Sequence, residues 1–213
     1  MTIKAHILSV AAVSMLTCAA AQAQDNVFKL GAIRYTTNSS TSGIKGPGVP
    51  AGADAETGDA TTVILVYERT LTPNLGIELV VGIPPRIKSR AIGSVAFLGD
   101  NVLSAKNVAP TLLMNYYFGD ASSTIRPYVG VGLNYTKFAS VKSSLAPKVE
   151  MSDSLGAAIQ AGVNYAITKQ YGLFASVARV DVKSDLVAVG STVLTTSIDF
   201  KPVTYSLGGW YRF

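Results

Sequence analysis

Residues 127–138 read PYVGVGLNYTKF, and their alternation decides the fold. Val129, Val131, Leu133 and Tyr135 share one parity, while Tyr128, Gly130, Gly132, Asn134 and Thr136 share the other. Side chains of a strand point to opposite faces in turn, so one face is aliphatic with an aromatic near its end and the other is small or amide-bearing. Residues 155–165, LGAAIQAGVNY, repeat the pattern, with Leu155, Ala157, Ile159, Ala161, Val163 and Tyr165 set against Gly156, Ala158, Gln160, Gly162 and Asn164. Residues 203–213, VTYSLGGWYRF, do so a third time. A greasy face that ends in tyrosine suits lipid and its aromatic girdle, and a small, polar face suits a narrow lumen.

Working outward, period two recurs in eight segments: 26–35, 62–69, 75–83, 111–118, 127–138, 155–167, 172–182 and 203–213. Short links near 70–74, 119–126 and 168–171 alternate with long ones near 36–61, 84–110, 139–154 and 183–202. That asymmetry predicts an all-β protein, an eight-stranded antiparallel up-and-down transmembrane barrel with its short turns toward the periplasm. Mean hydropathy is +0.33. No apolar run after the first residues approaches the roughly 20 that a spanning helix needs, so the hydrophobicity is carried by alternation. The polar loop at 36–61 is expected to be mobile, and the loop at 84–110, with Ile92, Val95, Phe97 and Leu98, to fold over the barrel mouth. A soluble sandwich would use similar strands, but the other features below favour the membrane.

Residues 1–23 carry Lys4, an apolar run from about Ile7 to Leu16, and small residues ending in Ala21-Gln22-Ala23. This is the pattern of a cleaved secretory signal, which leaves 24–213 as the barrel domain. Cys18 could instead mark a lipid-anchored cysteine, although Leu16 and Thr17 fit that signal poorly. Cys18 and His6 are the only cysteine and histidine, so cleavage would remove every thiolate, disulfide and imidazole. That excludes histidine- or cysteine-ligated metals and most hydrolytic machinery; a lysine-based or carboxylate-pair mechanism stays open to the remaining residues, but no metal site, cofactor or enzymatic activity is expected. Without Lys4, 17 basic residues face 13 acidic ones, a charge of +4. They are scattered, and no run of them marks a nucleic-acid stripe or a polybasic membrane patch. Gly130-Val131-Gly132 lacks the third glycine and the helix of a dinucleotide loop, and Asp181 with Asp185 fits a solvated loop edge better than calcium.

The segments APTLLMNYYFGD (109–120), RPYVGVGLNYTKF (126–138), DSLGAAIQAGVNY (153–165) and NLGIELVVGIPP (74–85), with the terminal YRF, resemble the OmpW family of small outer-membrane proteins over nearly all of the chain after the signal. The resemblance implies export to the outer membrane and an eight-stranded barrel that passes small hydrophobic molecules across it. In the family, bulky apolar residues on strands three and seven narrow the lumen. The matching Val80 and Ala178 are small, so no tight constriction is expected there.

If the apolar face meets lipid, Lys29, Glu68, Glu78 and Arg212 all point inward near the periplasmic end. Two charges of each sign at one level should pair and plug that end, because a buried charge without a partner is costly. The alternative is four unrelated strand ends in water. Above them, Val80, Gly82, Thr111, Asn115, Phe174, Ser176 and Ala178 would line the lumen, a set more apolar than a water-filled porin requires. Pro84, Pro85 and Pro110 withhold backbone donors beside strands three and four and mark a candidate lateral gap, or else ordinary loop boundaries. Tyr205, Leu207, Tyr211 and Phe213 form the terminal pattern expected to be read by the outer-membrane assembly machinery, and pairing of the last strand with the first should hold Phe213. The expected partners are outer-membrane lipids and lipopolysaccharide, that machinery and a small hydrophobic solute, for a monomer that binds no nucleic acid. Two functions remain open: a conduit for hydrophobic molecules, and a surface-interaction barrel with a filled interior whose loops bind another cell, a phage or a toxin.

Overall fold

A computed structural model describes residues 25–213 except 38, 191 and 192; the expected signal segment, with Cys18 and His6, lies outside the described residues. Eight long strands form the wall: β1 Asn26–Thr36, β2 Ala60–Thr72, β3 Leu75–Gly82, β4 Thr111–Tyr117, β5 Ile125–Ser143, β6 Ser154–Ala166, β7 Tyr171–Val180 and β8 Val203–Arg212. Each pairs antiparallel with its neighbours in sequence. The ring closes where β8 meets β1, from Val27 opposite Arg212 to Thr36 opposite Val203. Closure removes both sheet edges, which lipid could not satisfy. No helix among the described residues is long and apolar enough to cross a membrane, and here the strands do the crossing.

The exposure pattern is inside out for a soluble protein. Val129, Val131, Leu133 and Tyr135 of β5 are exposed, while Tyr128, Gly130, Asn134 and Thr136 between them are buried. Leu155 is 71% exposed and Asn115 0%, so apolar side chains form the outer coat, while polar groups are buried inside together with apolar ones such as Val66 and Phe174. From Ile125 to Tyr135 the outward apolar stripe of β5 spans eleven residues, or ten steps along the strand. At about 3.4 Å per residue and a tilt near 40°, that spans roughly 25 Å, the height of an outer-membrane apolar band. Lumen space is scarce, and glycine supplies it: a Cβ on Gly162 would strike the Tyr128 ring, and one on Gly172 the Trp210 indole.

Beyond the band the long loops build strands of their own. The outer part of β5 pairs with Leu103–Val108, which pairs with Arg86–Gly93, which in turn pairs with Ala53–Thr57, raising one wall of the barrel outward. Lys148–Met151, Lys183–Val189, Val193–Asp199 and Ser40–Thr41 form a second sheet. A cluster including Phe138, Ala146, Leu186, Ile198 and Phe200 lies between the two. Two expectations change here. The first loop is tied into both sheets through Ala53–Thr57 and Ser40–Thr41, where a mobile segment was expected. The 84–110 segment stands up as a hairpin in the wall instead of folding across the mouth, because its backbone bonds are taken by β5.

The lumen and its charged floor

Near the short-turn end, strand register sets Glu68 of β2 directly opposite Glu78 of β3. Two like charges side by side on one face repel. Lys29 of β1 relieves this by placing Nζ 2.8 Å from Glu68 and 2.7 Å from Glu78, with all three side chains at most 5% exposed. The ammonium also lies 5.1 Å from the Tyr128 ring centre and 5.6 Å from that of Phe174, close enough for cation–π attraction. Gln160 of β6 donates from Nε2 to Glu78 at 3.0 Å and to Asn115 Oδ1 at 2.8 Å. Five strands thus contribute to one hydrogen-bonded floor.

Arg212 is not part of it. Lys29 stands opposite Trp210 in the β1–β8 ladder, which puts Arg212 two residues nearer the rim. There its Nε is 3.7 Å from Asp25 and its guanidinium lies 5.4 Å from the Trp210 ring. Parity gave its face correctly, but not its height. Arg126 occupies the space beneath the floor, its guanidinium 4.9 Å from the Tyr117 ring and hydrogen-bonded to the Pro73 carbonyl. The amide of Gln160 was the component missed from the sequence; its inward parity opposite Gly130 was the available signal.

Above the floor lies an apolar cavity. Val80, Gly82, Thr111, Phe174, Ser176 and Ala178 line it, whereas Asn115 sits below, wholly buried under Gln160. Ile33, Ile64 and Val66 complete the lower wall, and Phe138 and Phe200 stand at the top. The cavity encloses about 1020 Å³ of atom-free space, counting what opens to solvent. Phe138 and Phe200 stack with ring centres 5.4 Å apart. Beyond this pair, a second cavity between the loop sheets is lined by Val102, Leu103, Ala146, Leu186, Leu194 and Ile198, among others.

The β3–β4 ladder ends at Val80 opposite Thr111, leaving Val81 and Gly82 with no ladder partner on that side among the described residues. Val81 points outward and is 38% exposed, yet it also borders the cavity. Pro84, Pro85 and Pro110 flank this place, and across the gap the wall resumes where the Asn107 amide donates to the Pro85 carbonyl; on the far side of β4 the Tyr135 amide donates to the Pro110 carbonyl. Asn107 Oδ1, which is buried without a hydrogen-bond partner, belongs to a residue lining the same cavity. At the end of the chain, Asn26 and Phe213 exchange backbone hydrogen bonds and the Phe213 ring stacks on Phe28 and Tyr211, while Tyr205, Leu207 and Tyr211 are exposed on the lipid face. Among the described residues no three histidine, cysteine, aspartate or glutamate side chains gather as a metal site would require.

Comparison with known proteins places this geometry. The sequence model of the OmpW family matches residues 22–213. Outer membrane protein W of Escherichia coli K12 is 33% identical over 162 residues, covering 72% of this chain and 73% of the relative. Outer membrane protein AlkL of Ectopseudomonas oleovorans is 27% identical over 169 residues, 79% of this chain and 73% of the relative. The crystal structure of the outer membrane protein OprG from Pseudomonas aeruginosa superposes with a TM-score of 0.82 at 25% identity, covering 90% of this chain and 97% of that one.

Proposed function

The chain belongs to the OmpW family of outer-membrane barrels, and from that premise we propose that it admits small apolar molecules from the cell surface and releases them sideways into the membrane. The observation that carries this is a single cavity with three features: apolar walls, a salt-bridged floor, and a boundary at the outward-facing Val81 where the β3–β4 ladder has ended. A polar solute gains nothing from such walls and meets charges locked to one another at the bottom. An apolar solute gains by leaving water at each step, roughly 25 cal/mol for every Å² it buries. Its free energy is lowest in the hydrocarbon beside Val81, so the gap needs no coupled energy source. The Lys29 cluster acts as the plug, Val80 and Ala178 as facing walls of the bore, and the prolines keep the gap from being zipped shut by a continued ladder.

The test is uptake of pyrene into vesicles carrying the protein. Val80→Trp should fill the bore and slow uptake several-fold, and glucose should not enter with either protein. Equal pyrene uptake by the two, or passage of glucose, would overturn the conduit. Sideways release has its own readout. A quencher on the lipid tails should dim pyrene before a quencher trapped in the vesicle water does, and the reverse order would rule out the lateral route.

A further inference from the structure

We propose that the outer face of the raised wall is a docking surface for an outer-leaflet lipid whose headgroup carries phosphates. Arg86 and Lys88 come from one loop strand, Lys106 from the next, and Lys137 and Lys142 from the outer part of β5. All five are exposed, and register gathers them on one face. Lys106 stands between Arg86 and Ala139; Ser104 stands between Lys88 and Lys142; Lys137 stands opposite Val108. Their sequence neighbours Ile87 and Phe138 line the lumen cavity, and Ser89 and Ala105 are buried, so the five cations face away from the barrel. Neighbouring strands lie about 4.8 Å apart and alternate residues about 7 Å apart along a strand, which makes the patch as compact as a lipid headgroup.

Its charge is uncompensated. Among the described residues none of the five has an ion pair. Of the bordering carboxylates, Glu56 pairs with Arg90 at 2.6 Å, and Asp153 accepts the Tyr135 hydroxyl at 2.5 Å and forms no ion pair with any of the five. Arg86 directly opposite Lys106 is a repulsive cross-strand pair that an anion between them would convert into an attractive set.

Position selects the anion's source. Along β5, Val129, Val131, Leu133 and Tyr135 form the lipid-facing stripe, and the next outward residue is Lys137. The patch therefore begins where the apolar band ends, at the height of lipid headgroups and continuous with the lipid-facing wall. A phosphate held there by its own acyl chains is presented at high local concentration, whereas a free phosphate must be captured from water. This surface does not depend on the conduit reading; none of the five residues lines the cavity.

The experiment titrates fluorescent deep-rough lipopolysaccharide into the detergent-solubilised protein. A variant combining Arg86→Gln, Lys88→Gln, Lys106→Gln and Lys142→Gln should bind it at least tenfold more weakly, keep the heat-shifted gel mobility of a folded barrel, and take up pyrene at the wild-type rate. The wild-type protein supplies a check that needs no variant: dephosphorylated lipopolysaccharide should bind at least tenfold more weakly than the phosphorylated form, and inorganic phosphate at matched phosphate concentration should not displace the lipid. Equal binding by the variant, indifference to dephosphorylation, or displacement by inorganic phosphate would each overturn the proposal.

Discussion

Lys29 is the residue on which the floor depends, since it alone separates two carboxylates that the β2–β3 register forces together. Lys29→Met would leave both buried without a counter-charge, which costs about 3–5 kcal/mol. Urea unfolding in lipid vesicles should show that loss. Adding Glu68→Gln and Glu78→Gln to the same protein should recover most of it, because the cost lies in stranded charge rather than in lost attraction. The three charges could be read from the sequence because inward parity and closeness to a short turn or a terminus both follow from counting. Arg212 satisfied the same two criteria and still fell outside the cluster, because height depends on register between strands, which no single strand encodes.

At the scale of elements, the barrel strands were legible and the loop strands were not. A strand of ten residues between lipid and lumen must alternate, and alternation is a sequence property. Ala53–Thr57 (ADAET) and Ser40–Thr41 carry no such pattern, since they are short and owe their shape to the strands they pair with. The basic patch was hidden in a similar way. Lys88 and Lys142 share a face only because β5 holds one residue more than its partner between Lys106 and Ser104. Ser140, within that stretch, takes the extra turn with φ 51°. A glance along the chain finds scattered cations where the sheet finds five together. The Phe138–Phe200 stack lies where the two architectures meet, its rings lining the lumen cavity, with the cavity between the loop sheets beyond them. Phe138→Ala should open a passage between the two cavities and raise the pyrene uptake rate severalfold in vesicles, with little change in gel mobility; an unchanged rate would mean the rings are wall and not gate.

At the scale of the molecule, stability rests on a ring with no ends. The last strand serves both neighbours: Tyr211 stands opposite Phe28 on one side and Tyr171 on the other, and the Arg212 amide donates to the Gln170 carbonyl. Deleting Tyr211–Phe213 would remove the reciprocal Asn26–Phe213 bonds and the Phe28 stack, and would unpair backbone groups on β1 and β7 that lipid cannot satisfy. The yield of heat-shifted, folded protein from refolding into vesicles should fall at least tenfold. That closure makes the fold readable from alternation alone, because every strand but the extended loops obeys one rule.

The locked floor also bears on how many copies a cell can tolerate. An open porin lets bile salts, antibiotics and protons equilibrate with every molecule inserted, which sets a ceiling on its abundance. On the proposed reading, in which Lys29 and its two carboxylates plug the base, such a barrel adds no leak of this kind however many copies are inserted.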